Sequence, residues 1–185
     1  CNDHISKSLF VEGNFEHKNV TKSFSFLREK GFIRDSNSVT LFDVGVNNGV
    51  ISIDAYVNQY VQKIIAIDAD KTNFESCKKN FELNNMNSVV KTYNCAVTDE
   101  VGEVKLTHCD YNLGAHTVKK SDDFSYEKCN ESDRVTQTIP ANTIDNIFDA
   151  NKDFIGNYDI IIWIDIEGHE GFAFKGATKL LSQKS

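Results

Sequence analysis

Apolar residues along this chain gather in short runs separated by mixed stretches. "SVTLFDVG" (38–45), "KIIAIDAD" (63–70) and "SVVKTYNCAV" (88–97) each predict a buried strand, and the first two end in acids. Between them, "VISIDAYVNQYV" (50–61) and "KTNFESCKKNFELNN" (71–85) predict helices. In the second, Phe74, Cys77 and Phe81 recur at helical spacing. Upstream, "VTKSFSFLREKGFI" (20–33) sets Val20, Phe24 and Leu27 on one helical face with Phe26 beside them, and Gly31 is a plausible stop. Strand, helix, strand, helix, strand is the rhythm of a parallel sheet covered by helices on both faces.

The rhythm changes after residue 100. "VGEVKLTHCD" (101–110) alternates with period two and predicts an antiparallel strand. Residues 111–133 are polar and aperiodic and predict a long loop, a length that in compact domains usually serves function or is disordered. "RVTQTIPANTIDNIF" (134–148) alternates again and predicts a second strand, a turn and a short helix, so the pair reads as a hairpin inserted into the parallel domain. The parallel pattern resumes with "YDIIIWID" (158–165) and a closing helix, "EGFAFKGATKLLSQ" (170–183). One domain over 1–185 is expected. Its parts are an N-terminal helical segment (1–38), a cofactor-binding half (39–100), the hairpin and loop insertion (101–148), and an acidic strand and helix (149–185). With few residues after the last strand and Cys1 at the start, the chain reads as part of a larger protein whose C-terminal strands are truncated.

Chemistry concentrates where strands end. "DVGVNNG" puts Asp43 at a strand end, Gly45 in a tight turn and Gly49 at the start of a helix. Glycines admit close backbone approach, and a helix N-terminus offers free N–H groups. The spacing is neither G-x-G-x-x-G nor the P-loop pattern. Asp68 closes the next strand, where a carboxylate accepts hydrogen bonds from ribose hydroxyls. An adenosine ligand without a phosphate cradle points to S-adenosylmethionine. The rival reading is a bare strand-to-helix turn with a cap.

Five blocks, "FDVGVNNG", "IAIDADKTNFESCKKNFELN", "NCAVTDEVGEVKL", "ANTIDNI" and "DIIIWIDIEGHEGFAFKGATKLL", fall in one order across roughly 40–181. Together they resemble the FkbM-type family of S-adenosylmethionine-dependent methyltransferases. The most specific block carries Asp165, Glu167, Gly168, Glu170, Lys175, Gly176 and Ala177. The resemblance implies a class I, Rossmann-like α/β sheet and O-methylation, often of sugar hydroxyls in glycans or of small natural products. It implies that Asp43, Gly45, Asn47 and Gly49 frame the methionine end of the cofactor and that Asp68 holds the ribose. It places Asn94 and Cys95 near the adenine. Val46 stands where the family commonly has alanine.

The strand at 158–165 then delivers Asp165 to the cofactor edge of the sheet. Methyl transfer to a hydroxyl needs the acceptor oxygen aligned and its proton removed. Asp165 and Glu167 suit these roles, since repulsion between close carboxylates raises one pKa. Otherwise Asp165 caps the following helix and Glu167 pairs with a lysine. His116, in the loop, is a third candidate base or a solvated residue. Asp165, Glu167 and His169 alternate, which makes a divalent metal conceivable, but a helix start favours an acid at Glu170 in its own right, and no metal is expected. Trp163 reads as core.

Composition narrows the partners. The chain has 185 residues, 40% apolar and 25% charged, with a net charge of −7. That balance disfavours a nucleic-acid acceptor, whose phosphates need Lys and Arg, and leaves a sugar, glycan or small-molecule acceptor. Further domains or a homo-oligomer would supply missing edges. No apolar run is long enough to span a membrane. Five cysteines at irregular spacing, with no CxxC, fit reduced thiols and a cytoplasmic compartment better than zinc or disulfides. Two rival functions remain open. One is a nicotinamide oxidoreductase, which lacks its middle glycine and any Tyr-x-x-x-Lys pair. The other is a non-catalytic methyltransferase-fold module.

Overall fold

The structure, a computed structural model, describes residues 4–33, 39–107, 117–119 and 136–183. It opens with α1 (His4–Glu12) and α2 (His17–Glu29), followed by β1 (Val39–Val44), α3 (Val50–Val57), β2 (Lys63–Asp68) and α4 (Lys71–Leu83). Then come β3 (Val90–Asn94), β4 (Ala96–Val97), β5 (Gly102–Thr107), β6 (Thr117–Lys119) and β7 (Thr136–Asn142). The chain closes with α5 (Ile144–Ala150), α6 (Lys152–Ile155), β8 (Asp159–Ile164), α7 (Glu170–Lys175) and α8 (Thr178–Leu181).

Two sheets result. The first runs β3-β2-β1-β8 with every pair parallel, as the apolar runs predict. In β1, Leu41 packs into the core beneath α2, α3 and α4, while its neighbour Phe42 packs into the core beneath α5, α7 and α8. A strand buried on both faces shows a continuous apolar run rather than alternation. Register matters for function: Val44 lies opposite both Ile67 and Ile164. The residues that follow, Gly45, Asp68 and Asp165, therefore leave the sheet at one carboxyl edge. The second sheet runs β4-β7-β5-β6, with β5 antiparallel to both β7 and β6. Val104, Leu106, Ile139 and Ala141 form its small core.

Four expectations need correction. The strand expected at 88–97 is two strands. Asn94 turns its amide onto the carbonyls of Asp68 and Ala69, at 2.9 and 3.3 Å, and the chain crosses at Cys95 to pair with β7. The stretch expected to be a structureless loop over 111–133 contains β6, which pairs with the end of β5. The closing helix breaks at Gly176–Ala177. A Cβ on Gly176 would lie 2.1 Å from the Thr98 carbonyl oxygen, so α7 and α8 meet where the chain leaves β4. The helix expected over 50–61 stops at Val57. Within the N-terminal segment, α1 has no clear apolar face in the sequence, and it buries little.

Candidate functional site

The carboxyl edge opens into a cleft of about 280 Å³. Its walls come from the β1–α3 turn (Gly45 to Asn48), the end of β2 with Asp68 and Asp70, and the β3–β4 crossing with Cys95 and Val97. Leu106 of β5 and the stretch from Asp165 to His169 complete it. Open α/β sheets bind ligands in this position.

The turn is held by backbone and side-chain hydrogen bonds together, with Asn80 Nδ2 donating to the Asn48 carbonyl at 2.7 Å. The N–H groups of Gly45 and Val46 both donate to the Ile67 carbonyl, at 2.9 and 3.0 Å. Gly45 has φ 88°, and a Cβ there would lie 2.0 Å from the Asp165 carbonyl oxygen. The glycine is thus required by the neighbouring strand end as well as by its own left-handed backbone. Asn47 is also left-handed, at φ 51°, a conformation asparagine tolerates better than most residues. Gly49 precedes α3 at φ 85°, and a Cβ there would press within 3.1 Å of the Phe81 ring. The turn is fitted to the fold before any ligand is considered.

Asp68 joins turn to strand. Its Oδ2 accepts from the Asn47 N–H at 2.7 Å and its Oδ1 from the Asp70 N–H at 2.9 Å. The residue is only 7% exposed, and burial pushes its carboxyl up from 3.8 to about 7; the two N–H groups oppose that rise, and the charges of Asp70 and Asp43 add to it. Each oxygen still has a lone pair beyond its backbone donor. Asp70 caps α4 by accepting from the Asn73 N–H at 2.8 Å.

Asp43 lies elsewhere. It is buried in the sheet behind the cleft wall, takes a 2.6 Å hydrogen bond from Ser52 Oγ, and does not line the cleft. Burial raises its carboxyl to about 6, partly offset by Ser52 and reinforced by Asp165. Asn94 also stays outside the lining, occupied with the β2 carbonyls. Cys95 lines the cleft as a buried thiol, and burial lifts it to about 11. At that value it is a neutral, small apolar group at neutral pH. Cys77 and Cys95, the described cysteines, are free thiols.

The opposite rim is acidic and open. Asp165 continues β8, with its N–H donating to the Val44 carbonyl at 2.9 Å, and both Asp165 and Glu167 are exposed. Glu167 sits at φ 48°. Partial desolvation, then the charges of Asp165 and Glu170, raise its carboxyl. Glu170 Oε1 accepts from the Gly168 N–H at 3.1 Å at the head of α7. The residue before α7 is His169, so Asp165 is not its cap, and among the described residues Glu167 has no ion pair. His169 is buried and stacks on Phe172 with centroids 4.6 Å apart. Among the described residues, no three His, Cys, Asp or Glu side chains cluster as metal ligands. His116 lies outside the described residues. Trp163 is half-buried against the α2–α4 core.

Some lining residues gave weak signals in the sequence. Asp70 and Asn73 carry the Asp-x-x-Asn spacing of a helix cap. Phe15 is a lone aromatic in the polar run "EGNFEHKN", and with Ile5 it reaches the cleft from the N-terminal segment. Leu106 arrives from the second sheet, a placement that only tertiary structure reveals.

Residues 43–184 match the family described as the methyltransferase FkbM domain. Among solved structures, the methyltransferase FkbM from Methylobacillus flagellatus KT aligns over 82% of this chain and 32% of its own, at 18% identity and TM-score 0.49. The chain thus spans about a third of that protein's length. The YcgJ protein of Bacillus subtilis aligns over 43% of this chain and 35% of its own, at 19% identity and TM-score 0.31. No curated protein matches the chain.

Proposed function

Because the chain belongs to the methyltransferase FkbM domain family, we propose that it forms the cofactor-binding and catalytic part of an S-adenosylmethionine-dependent O-methyltransferase. Its acceptor is a sugar or glycan hydroxyl. The observation that carries this reading is Asp68, a buried carboxylate fixed at the carboxyl edge by two backbone N–H groups with lone pairs to spare.

The residues present fit the cofactor. Its sulfonium and ammonium are cationic, and the ionisable side chains lining the cleft are Asp68, Asp70, Asp165, Glu167, His169 and Cys95, with no Lys or Arg among the described ones. The same lining argues against a dinucleotide, whose pyrophosphate would face carboxylates without a cationic partner. The absence of a phosphate-binding glycine pattern agrees with this.

When bound, S-adenosylmethionine supplies a methyl group on a sulfonium whose departure as a neutral thioether needs no acid. The chain's residues do the rest. Asp68 accepts the two ribose hydroxyls, and Asn47, Gly45 and Gly49 shape the turn beside them. Asp165 orients the acceptor hydroxyl. Glu167 takes its proton on a carboxylate oxygen, made more basic by partial burial and by the neighbouring acids. The polar stretch over 111–133 shapes acceptor choice.

Calorimetric titration tests the cofactor half. S-adenosylhomocysteine should bind at micromolar concentration, NADH should not, and Asp68→Ala should weaken the first roughly 30-fold, the worth of one charge-assisted hydrogen bond at about 2 kcal/mol. Tight NADH binding without S-adenosylhomocysteine binding would favour an oxidoreductase.

A further inference from the structure

The N-terminal segment divides sharply at residue 20. In α2, Val20 and Phe24 are fully buried, and Phe24 stacks on Tyr60 at 5.1 Å. From Ile5 to Asn19 no side chain is buried. Phe10 and Val11 of α1 are 88% and 78% exposed. Helix α1 therefore gains little from burial in the core, and its stability must come from elsewhere. What it does offer is Ile5 and, just beyond it, Phe15, and both line the cleft.

Two residues with left-handed backbone, Gly13 and Glu16, form the joint between the two helices. Gly13, at φ 72°, donates its N–H back to the Leu9 carbonyl, and Ser8 Oγ donates to the Asn14 carbonyl at 2.9 Å. These bonds tie the turn to α1. Glu16, at φ 54°, accepts instead from the N–H groups of Asn19 and Val20 in α2. Phe15 lies between Asn14 and Glu16 in this turn. Two positions later, His17 Nδ1 meets the Asp54 carboxylate at 2.9 and 3.1 Å. Asp54 lies one turn along α3 from Val50 and Ile51, which line the cleft beside Asn47. The latch thus ties the start of α2 to α3, the helix whose first residues line the cleft.

We propose that α1 and the Gly13–Glu16 turn form a hinged lid, and that Ile5 and Phe15 are ligand-binding residues that close on the S-adenosyl ligand at the glycine turn. This rests on the cofactor reading above. Closure adds to the partial burial of α1 and excludes water from the acidic cleft, where the attraction between carboxylates and a cationic ligand is then less screened.

Chymotrypsin cleavage after Phe10 reads the lid, because cleavage within a helix tracks the population of its opened state. On the full chain, saturating S-adenosylhomocysteine should slow that cleavage at least about tenfold. Phe15→Ala should weaken binding roughly tenfold, Phe15→Tyr should restore it, and Phe10→Ala should leave it unchanged. Unliganded melting of Phe15→Ala separates a folding defect from a binding one. If that variant does not fold, the protection of the wild-type chain decides alone. Wild-type binding with unchanged cleavage at Phe10 overturns the lid and leaves the cofactor reading intact. Failure of the wild type to bind S-adenosylhomocysteine at all overturns both.

Discussion

The two rims of the cleft are built on opposite principles. On one, the glycine turn and Asp68 are buried, tied by backbone hydrogen bonds, and fitted so closely that a methyl group on Gly45 would collide with Asp165. On the other, Asp165 and Glu167 stand exposed, with Glu167 in a left-handed conformation that its side chain disfavours. The first rim is part of what holds the sheet together, so the binding proposed for its residues comes on top of a structural role. The second contributes little to the core, so its residues are free to serve chemistry. Strain and mutual repulsion held at an exposed position are costs that a purely structural loop would shed.

Gly45→Ala should break the buried rim most completely. With φ 88° and a Cβ only 2.0 Å from the Asp165 carbonyl, the change should destabilise by about 3 kcal/mol or more, read as loss of folded protein or a collapsed melting midpoint. A well-folded Gly45→Ala chain would mean that the turn adjusts more readily than its geometry implies.

Asp68→Asn sharpens the contrast through pH. Burial raises the folded carboxyl from 3.8 to about 7, so the folded chain keeps a proton that the unfolded chain releases. The stability this gives is complete below the unfolded value and is lost as pH rises through about 7, at about 1.4 kcal/mol for each pH unit between the two values. Asp43, raised to about 6, adds the same sign over a narrower window. Unliganded wild-type protein should therefore melt higher at pH 5 than at pH 8, and Asp68→Asn should flatten that slope. Melting curves across pH decide it. A wild-type profile rising steadily from pH 5 to 8 would contradict the assignment.

Glu167→Gln probes the open rim. Methyl transfer to the acceptor should fall about 100-fold or more, with folding stability unchanged within about 0.5 kcal/mol. Glu167→Gly carries a small stability gain. Relief of the φ 48° backbone should raise stability by a few tenths to about 1 kcal/mol while activity is lost. Stability lost in either variant would place Glu167 with the buried rim.

Much of the parallel sheet is legible in the sequence for a simple physical reason. Strands such as β1 and β2 are buried on both faces, so their apolar runs are continuous and end abruptly at charged residues. The break at Cys95 is hidden because only one residue separates β3 from β4, and the Asn94 amide, turned onto β2, marks the end of the ladder. β6 is hidden in a polar stretch because an edge strand need not be apolar. As sequence, the glycines read as places for a ligand. The structure gives Gly45, Gly49 and Gly176 packing reasons first, since each faces another segment at contact distance. Asp68 and Asp165 are visible because each closes an apolar run. Phe15 and Ile5 are not, because α1 has no periodic face long enough to announce a partner.

The most direct test is calorimetric titration of the wild-type chain and Asp68→Ala with S-adenosylhomocysteine, with NADH as the control ligand. Micromolar binding to the wild type, weakened roughly 30-fold by the substitution and absent for NADH, is the predicted result. Equal binding by wild type and Asp68→Ala would contradict the role of the buried rim.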